Sequence, residues 1–274
     1  MEKYRGLVEY IRGLGPSAVA FSGGVDSGLV AKAAFDALGD KALAVTVVSE
    51  LCPEEEAADA AGLARAIGIR HTTITVSILG DDKVADNPPE RCYHCKGRVF
   101  ASIREAALAE GIGTVLDGTN AEDTTAYRPG LRALKEAGVI SPLAALGFTK
   151  ADIRIAAKKL GLPNWDRPSA PCSATRFPYG TRLTVDALER VRAAESFIRS
   201  QGFRVVRVRD YSGSARIEVE AGEVPRLAAP RMRKKVVAKL TGLGYNYVTL
   251  DMEGYRSGSM DAAITTGNRT LEEK

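Results

Sequence analysis

The chain has 274 residues, of which 45% are hydrophobic and 26% are charged, and its formal net charge is +4. This length allows one large domain, or one medium and one small domain. No apolar run is long enough to span a membrane, and the mild charge argues against a dedicated nucleic-acid binder, which would carry a denser basic stripe.

The first segment, "MEKYRGLVEYIRGLG", has the pattern of an amphipathic helix and not of a signal peptide. We therefore expect a cytoplasmic protein with no membrane partner and no nucleic-acid partner. The basic stretch "RMRKK" near the C-terminus is interpreted as a solvated helix face.

Strand-like and helix-like segments alternate through the first two thirds of the chain. The predicted strands are "SAVAF", "ALAVTVV", "HTTITV" and "TVLDGTN". The predicted helices end at Gly39, at Gly68, at Glu110 and at Gly161. The third is predicted over residues 96–110, and the fourth follows a capping box of Thr149 and Asp152. This alternation predicts an α/β fold with a parallel, doubly wound sheet, which binds ligands at the carboxyl ends of its strands.

The pattern changes after about Gly180. A helix is predicted over residues 184–200, and a period-two hairpin follows around the turn "YSGS". A further helix, "KKVVAKLTGLG", and a strand, "YNYVTLDM", complete a small α+β domain. The predicted domains are therefore residues 1–180 and residues 181–274, and the polar tail after Asp261 is expected to be loose.

A glycine-rich turn joins the first strand to the following helix. Its residues are Ser22, Gly23, Gly24, Val25, Asp26 and Ser27. The glycines let the backbone approach an anion, and the helix N-terminus and the two hydroxyls supply donors. There is no Walker lysine, and Asp26 beside phosphates calls for a bridging Mg²⁺. The alternative is a plain strand-to-helix turn with a capping aspartate.

This turn resembles the SGGxDS loop, or PP-loop, of the ATP pyrophosphatases, which have an adenine-nucleotide hydrolase-like fold. The resemblance implies that ATP is cleaved between its α- and β-phosphates. It also implies that the nucleotide lies near the first two strands and near a second turn in "DGTNAED". The residues placed there are Ala20, Val47, Ser49, Gly118, Thr119 and Asp123.

Three of the four cysteines are candidate metal ligands. Cys92 and Cys95 have C-x₂-C spacing in "RCYHCK", which alone is compatible with zinc, an iron–sulfur cluster or redox chemistry. Cys172 in "SAPCSATR" is the candidate third ligand, and nearby Arg176 is a candidate to stabilise a thiolate. Three ligands leave a metal position open, whereas His94 or His71 would complete a structural zinc site. Cys52 is interpreted as a small buried residue.

The order of these motifs, followed by "LGLPNWDRPSAPCSATRFPYGTR", resembles the LarE family of sulfur transferases over most of the chain. These enzymes make the thiocarboxylates of the nickel-pincer nucleotide cofactor of lactate racemase. Some members sacrifice the sulfur of one cysteine, at the place of Cys172. Others use three cysteines to hold a [4Fe-4S] cluster, and Cys92, Cys95 and Cys172 resemble that type.

The resemblance implies a reaction and its participants. A carboxylate of a pyridinium mononucleotide is adenylated by ATP with Mg²⁺, and sulfur then displaces AMP. Asp26, Lys96, Cys172 and Arg176 are the candidate catalytic residues. A sulfide or another sulfur donor is required, and a homo-oligomer is implied.

The late hairpin supplies a candidate anchor for the substrate phosphate. Arg207 and Arg209 lie two apart on one strand, so both face the same side, and paired guanidiniums suit a phosphate. Glu218 on the partner strand is a candidate to orient them. The alternative is a cross-strand ladder of arginines and glutamates on a solvated face.

Three other functions remain as alternatives. They are a tRNA thiolase, which can also combine a PP-loop with a cysteine-bound cluster, an amide-forming ligase with structural zinc, and a nucleotide-binding module without catalysis.

Overall fold

The chain falls into two compact units. The computed structural model describes residues 1–52, 54–125, 129–167, 171–256 and 260. One unit comprises Met1–Val84 with Pro88–Pro171, and the other comprises Ala85–Asn87 with Cys172–Lys274. The sequence predicts a division after residue 180, whereas the second unit begins at Cys172. It includes residues 85–87 because Leu183 N donates to Ala85 O and Gly180 N donates to Asn87 O.

The first unit contains a four-stranded sheet that is parallel throughout. Its strands are β1 (Ser17–Ala20), β2 (Ala42–Val48), β3 (Arg70–Thr75) and β4 (Thr114–Leu116). The spatial order is β3-β2-β1-β4, and every neighbouring pair is parallel. The parallel sheet predicted from the sequence is therefore confirmed.

Helices cover this sheet on two faces. Their bounds are α1 (Glu2–Leu14), α2 (Val25–Leu38), α3 (Glu54–Ile67), α4 (Asp82–Ala85), α5 (Arg91–Ala109), α6 (Pro129–Glu136), α7 (Pro142–Ala145) and α8 (Lys150–Lys159). Successive side chains of β1 enter different cores. Val19 packs with residues of α1, α2 and α3, whereas Ala18 packs with Phe100 and Ile103 of α5. This alternation makes the sheet doubly wound.

Helix α5 begins earlier than the sequence pattern predicts. The predicted start was residue 96, but the helix starts at Arg91, whose N–H donates to Pro88 O at 2.9 Å. The apolar spacing used for the prediction begins only at Val99, because the first turns carry polar side chains and cysteines. Both Cys92 and Cys95 therefore lie on the helix.

The second unit is a three-stranded sheet with helices. It contains α9 (Val185–Ser200), β5 (Val206–Tyr211), β6 (Ser214–Val219), α10 (Val224–Ala228), α11 (Pro230–Gly242) and β7 (Tyr247–Leu250). Strands β5 and β6 form the predicted antiparallel hairpin, with positive φ at Ser212 and Gly213 in its two-residue turn. Strand β7 pairs parallel to β6, so the small α+β unit is confirmed.

Valines and other apolar side chains of β5 and β6 form the core of the second unit with α9 and α11. The opposite face of the hairpin carries the arginines and Glu218. Among the helices of the described ranges, none is long and apolar enough to cross a membrane.

Candidate active site

The glycine-rich turn connects the end of β1 to the start of α2, as predicted. Gly23 has φ +73°, and a Cβ there would lie 3.1 Å from Ala60 Cα, so glycine suits both its conformation and its packing. Gly24 is the N-cap of α2 and supplies no side-chain cap. The first N–H groups of α2 are therefore available to an anion. The hydroxyls of Ser22 and Ser27 lie 3.2 Å apart beside them.

The second turn, after β4, lies directly against the glycine-rich turn. A Cβ on Gly118 would come within 2.8 Å of Ser27 N, so only glycine allows this approach. The buried carboxylate of Asp117 accepts hydrogen bonds from Thr119 Oγ1 at 2.5 Å and Ser141 Oγ at 2.6 Å. Two turns that are remote in sequence thus form one surface at the carboxyl edge of the sheet.

Two carboxylates of these turns, Asp26 and Asp123, are close enough for their charges to interact. Burial raises the pKa of Asp26, and the negative charge of Asp123 raises it further. Asn120 Nδ2 donates to Asp26 Oδ2 at 3.4 Å, and Lys150 and Arg154 also oppose the rise. Two carboxylates whose charges repel each other fit a site for a divalent cation, which would favour the ionised form of Asp26.

Hydrogen bonds from other segments hold the start and the middle of the glycine-rich turn. Thr46 Oγ1 donates to Phe21 O at 2.7 Å, so the same oxygen accepts from His71 Nε2 at 2.8 Å. His71 is thereby hydrogen-bonded within the sheet, which argues against His71 as the ligand that completes a zinc site. Asn164 Nδ2 donates to Gly23 O at 3.0 Å.

Ala20, Val47 and Ser49, the residues assigned to the adenine, lie at the ends of β1 and β2. All three are half-buried. Ser49 N donates to Cys52 O, and Cys52 N donates to Ser49 O, which closes a tight turn after β2. Cys52 is only half-buried, and its thiol lies 3.6 Å from Glu56 Oε2. The interpretation of Cys52 as a buried residue is therefore wrong.

Lys96 lies on α5 and packs against α6. A Cβ on Gly130 would lie 2.8 Å from Lys96 Cδ, so the glycine makes room for the lysine stem. Cys92 and Cys95 lie one turn apart on the same helix face, and both are half-buried thiols. Arg91 Nη2 donates to Cys92 Sγ at 3.6 Å.

In the second unit, a short 3₁₀ helix, Ser173–Arg176, follows the exposed Cys172. The buried Arg176 forms a double hydrogen bond with Glu195 at 2.8 and 3.1 Å, and its Nη1 donates to Cys172 O at 3.2 Å. Burial alone would raise the pKa of Glu195, but Arg176 holds it below its ordinary value. These contacts fix the backbone of Cys172, and the role of Arg176 toward its thiolate stays a prediction.

The two hairpin arginines differ in their contacts. Arg209 binds Glu218 through two hydrogen bonds, at 3.0 and 2.6 Å, and donates to Thr175 O at 2.8 Å. Arg207 instead stacks on Tyr255, with Cζ 5.1 Å from the ring centroid, and donates to Val206 O. Burial and the charge of Arg176 lower the pKa of Arg207, and the charge of Glu195 only partly opposes this shift. An anion would therefore relieve an electrostatic cost at Arg207 more than at Arg209.

The alternative of a solvated arginine–glutamate ladder does not match this face. The exposed fraction is 5% for the Arg209 side chain and 0% for that of Glu218. The ladder exists, but it is buried. Arg216 gives Glu218 a second partner at 3.1 Å.

Comparison with known proteins shows the family of this chain. The NAD synthase family model matches residues 5–108. The chain is also 41% identical over 260 residues to the pyridinium-3,5-bisthiocarboxylic acid mononucleotide synthase of Lactiplantibacillus plantarum, which covers 94% of each chain. The chain belongs to the LarE family of ATP-using sulfur transferases.

Other relatives show how far this similarity extends. The uncharacterized protein slr1717 of Synechocystis sp. is 41% identical over 263 residues, which covers 96% of this chain and 98% of the relative. The uncharacterized protein MJ0830 of Methanocaldococcus jannaschii is 31% identical over 70% of this chain and 74% of its own length.

In this LarE-family chain the cysteines have the donor chemistry of an iron–sulfur site. All four are thiols in the structure, and thiolates are the usual ligands of iron–sulfur clusters. Within the described ranges, no group of three or more histidine, cysteine or acidic side chains already gathers as a metal site. The thiols are therefore the right type of ligand for such a cluster.

Sequence reasoning did not single out Thr46, Asn120 or Asn164. Asn120 stood inside the quoted "DGTN" and Asn164 inside "LPNW", but neither motif says which backbone groups the amides reach. Thr46 had the appearance of an ordinary strand residue.

Proposed function

We propose that this enzyme converts carboxylates of a pyridinium mononucleotide into thiocarboxylates, at the expense of ATP. A carboxylate oxygen attacks the α-phosphorus, and pyrophosphate leaves. A sulfur nucleophile then attacks the acyl carbon, and AMP departs with the former carboxylate oxygen. The observation that carries this proposal is the 41% identity to the bisthiocarboxylic acid mononucleotide synthase over 94% of both chains.

The first unit supplies the activation step. The N–H groups at the start of α2 and the hydroxyls of Ser22 and Ser27 bind the phosphates and stabilise developing charge. Asp26 and Asp123 would hold Mg²⁺, which would supply positive charge to stabilise the leaving pyrophosphate. A carboxylate needs this step because oxide is a very poor leaving group and AMP is a good one.

The nucleotide contacts are completed by residues at the strand ends. Ala20, Val47 and Ser49 flank the adenine. Val25, Gly118 and Thr119 shape the surface on which the phosphates lie, since Gly118 permits the close approach of the two turns.

The second unit anchors the substrate. Arg207 binds the phosphate of the mononucleotide, because its buried guanidinium forms no ion pair with a carboxylate among the described residues, and Glu195 acts on it only through space. Arg209 and Glu218 brace the strand beside it through their double hydrogen bond. The phosphate anchor is thus asymmetric, with one arginine binding and one supporting.

Cys92, Cys95 and Cys172 are proposed to hold a [4Fe-4S] cluster. When bound, such a cluster supplies an iron atom without a protein ligand, which can carry sulfide for transfer. Arg176 sets the backbone position of Cys172, and Lys96 offers a cation for the α-phosphate. We also propose that the enzyme is a cytoplasmic homo-oligomer and receives sulfide or sulfur from a donor.

The test uses anaerobically purified protein, Mg-ATP, sulfide and the pyridinium dicarboxylate mononucleotide. We expect pyrophosphate and AMP in equal amounts, with a product in which sulfur replaces oxygen. Release of ADP, or pyrophosphate release that requires tRNA instead of the mononucleotide, would reject the proposal. Intact mass after turnover distinguishes sulfur supplied by the cluster from sulfur lost by Cys172.

A further inference from the structure

The peptide between Gly23 and Gly24 lies in the middle of the glycine-rich turn. In a planar trans peptide the C=O and the next N–H point in opposite directions. The direction of Gly23 O therefore decides whether Gly24 N–H points toward an anion or away from it. Two glycines flank this peptide, and glycine restrains the backbone less than any other residue.

The described contacts of Gly24 N–H restrain this peptide weakly. It lies 3.4 Å from Ser22 Oγ, at the long end of the hydrogen-bond range. A flipped peptide would place a carbonyl oxygen, and not a donor, where phosphate has to bind. The turn consequently needs a restraint from outside its own sequence.

Asn164 supplies that restraint from the loop after α8. Its Nδ2 donates to Gly23 O at 3.0 Å, and the carbonyl acceptor fixes which end of the amide faces the turn. The residue is only 8% exposed, and its Oδ1 has no hydrogen-bond partner among the described residues. An orphaned buried acceptor is unfavourable, so packing alone would not favour an amide here.

We propose that Asn164 is a positioning residue for ATP: it holds Gly23 O away from the phosphate site and so keeps Gly24 N–H directed into it. This inference rests on the proposed function, since it requires ATP on the glycine-rich turn. Gly28 belongs to the same arrangement, because a Cβ there would lie 3.0 Å from Asn164 Nδ2.

The decisive variant is Asn164→Asp, which keeps the shape but changes the hydrogen bonding with pH. An ionised aspartate has no donor and repels Gly23 O. A protonated one donates its O–H to the same carbonyl. Lowering the pH populates this neutral form, which burial also favours. We expect Mg-ATP affinity at about pH 8 to fall at least about tenfold relative to wild type, and this deficit to narrow as the pH is lowered.

Two further variants separate positioning from folding. Asn164→Ala removes the donor without adding charge, so its ATP affinity falls by a smaller factor that does not depend on pH. Asn87→Asp is the matched control in the second unit, where a buried amide donates to Pro178 O at 2.7 Å. That control keeps wild-type ATP affinity, even where its melting temperature falls.

The measurement is calorimetric titration of Mg-ATP into each full-length protein across the pH range, with thermal melting in parallel. An Asn164→Asp deficit that narrows at low pH supports the proposal. Wild-type affinity in this variant, or a deficit independent of pH, overturns it. Failure of the wild-type protein to bind ATP would instead overturn the proposed function.

Discussion

Gly118 and Ser27 meet backbone to backbone, although 91 positions separate them in the sequence. A Cβ on Gly118 would lie 2.8 Å from Ser27 N and 3.2 Å from Ser27 Cα. The contact joins the turn after β4 to the turn after β1, and so brings Asp123 to the side of Asp26. The proposed nucleotide site depends on this approach.

Substitution of Gly118 by alanine tests that contact. The added methyl group has to displace backbone and not a flexible side chain, so we expect a loss of about 1–3 kcal/mol in stability together with a higher KM for ATP. Gly113→Ala is the matched control, because a Cβ there meets no atom within 4 Å. Equal ATP kinetics for the two variants would show that the two turns do not share a nucleotide.

Asp26→Asn separates function from stability. We expect pyrophosphate release to fall by about a hundredfold or more, because a ligand for Mg²⁺ is lost. The melting temperature of the metal-free protein at neutral pH should be unchanged or higher, because the wild-type carboxylate is held in a place that raises its pKa.

The stability that Asp26 contributes should depend on pH. Its pKa is raised in the folded state, so the folded form binds the proton more tightly than the unfolded form does. Wild type should therefore gain stability relative to Asp26→Asn as the pH falls through the raised pKa, and should lose this advantage above it. Denaturant unfolding of both proteins across the acid range measures the difference. A stability difference between the two proteins that does not change with pH would contradict a raised pKa of Asp26 in the folded protein.

The two hairpin arginines should respond differently to glutamine. Arg209→Gln breaks a buried ion pair with Glu218, so we expect a stability loss of about 3–5 kcal/mol. Arg207→Gln removes a buried cation whose pKa is already lowered. Its melting temperature should change little, while the KM for the mononucleotide rises. Thermal melting and steady-state kinetics of the two variants test this. Equal losses of stability and equal increases in KM would contradict the different roles proposed for the two arginines.

The cysteines are tested by metal content. Anaerobically purified protein should contain iron and acid-labile sulfide, and Cys92→Ala or Cys172→Ala should each lose the [4Fe-4S] cluster. Cys52→Ala is the control, since Cys52 is not in the proposed ligand set. A full cluster in either ligand variant, or a protein that contains only zinc, would contradict that set.

Much of the first unit was predictable because its information is local. Its strands and helices are marked by apolar runs, by glycines that end helices and by the capping box at Thr149. Because the strands are parallel, the turns after β1 and β4 lie at the same edge of the sheet. The start of α5 was predicted less accurately, because Cys92 and Cys95 precede the first of its regularly spaced apolar residues. Local patterns describe the interior of a helix better than its polar first turn.

The environment of individual side chains was less predictable. Alternation in the hairpin correctly placed Arg207 and Arg209 on one face. It did not show that this face is buried, because Thr175 and Tyr255 come from other segments. The contact of Asn164 with Gly23 spans 141 positions, and no periodic pattern reports such a pair.

Transfer of oxygen from substrate to AMP tests the central claim most directly. The mononucleotide is prepared with oxygen-18 in its carboxylates and incubated with the enzyme, Mg-ATP and sulfide. Adenylation followed by sulfur attack predicts one labelled oxygen in the phosphate of AMP for each thiocarboxylate formed. Thiocarboxylate produced with unlabelled AMP would contradict the account, because ATP would then have activated something other than the carboxylate.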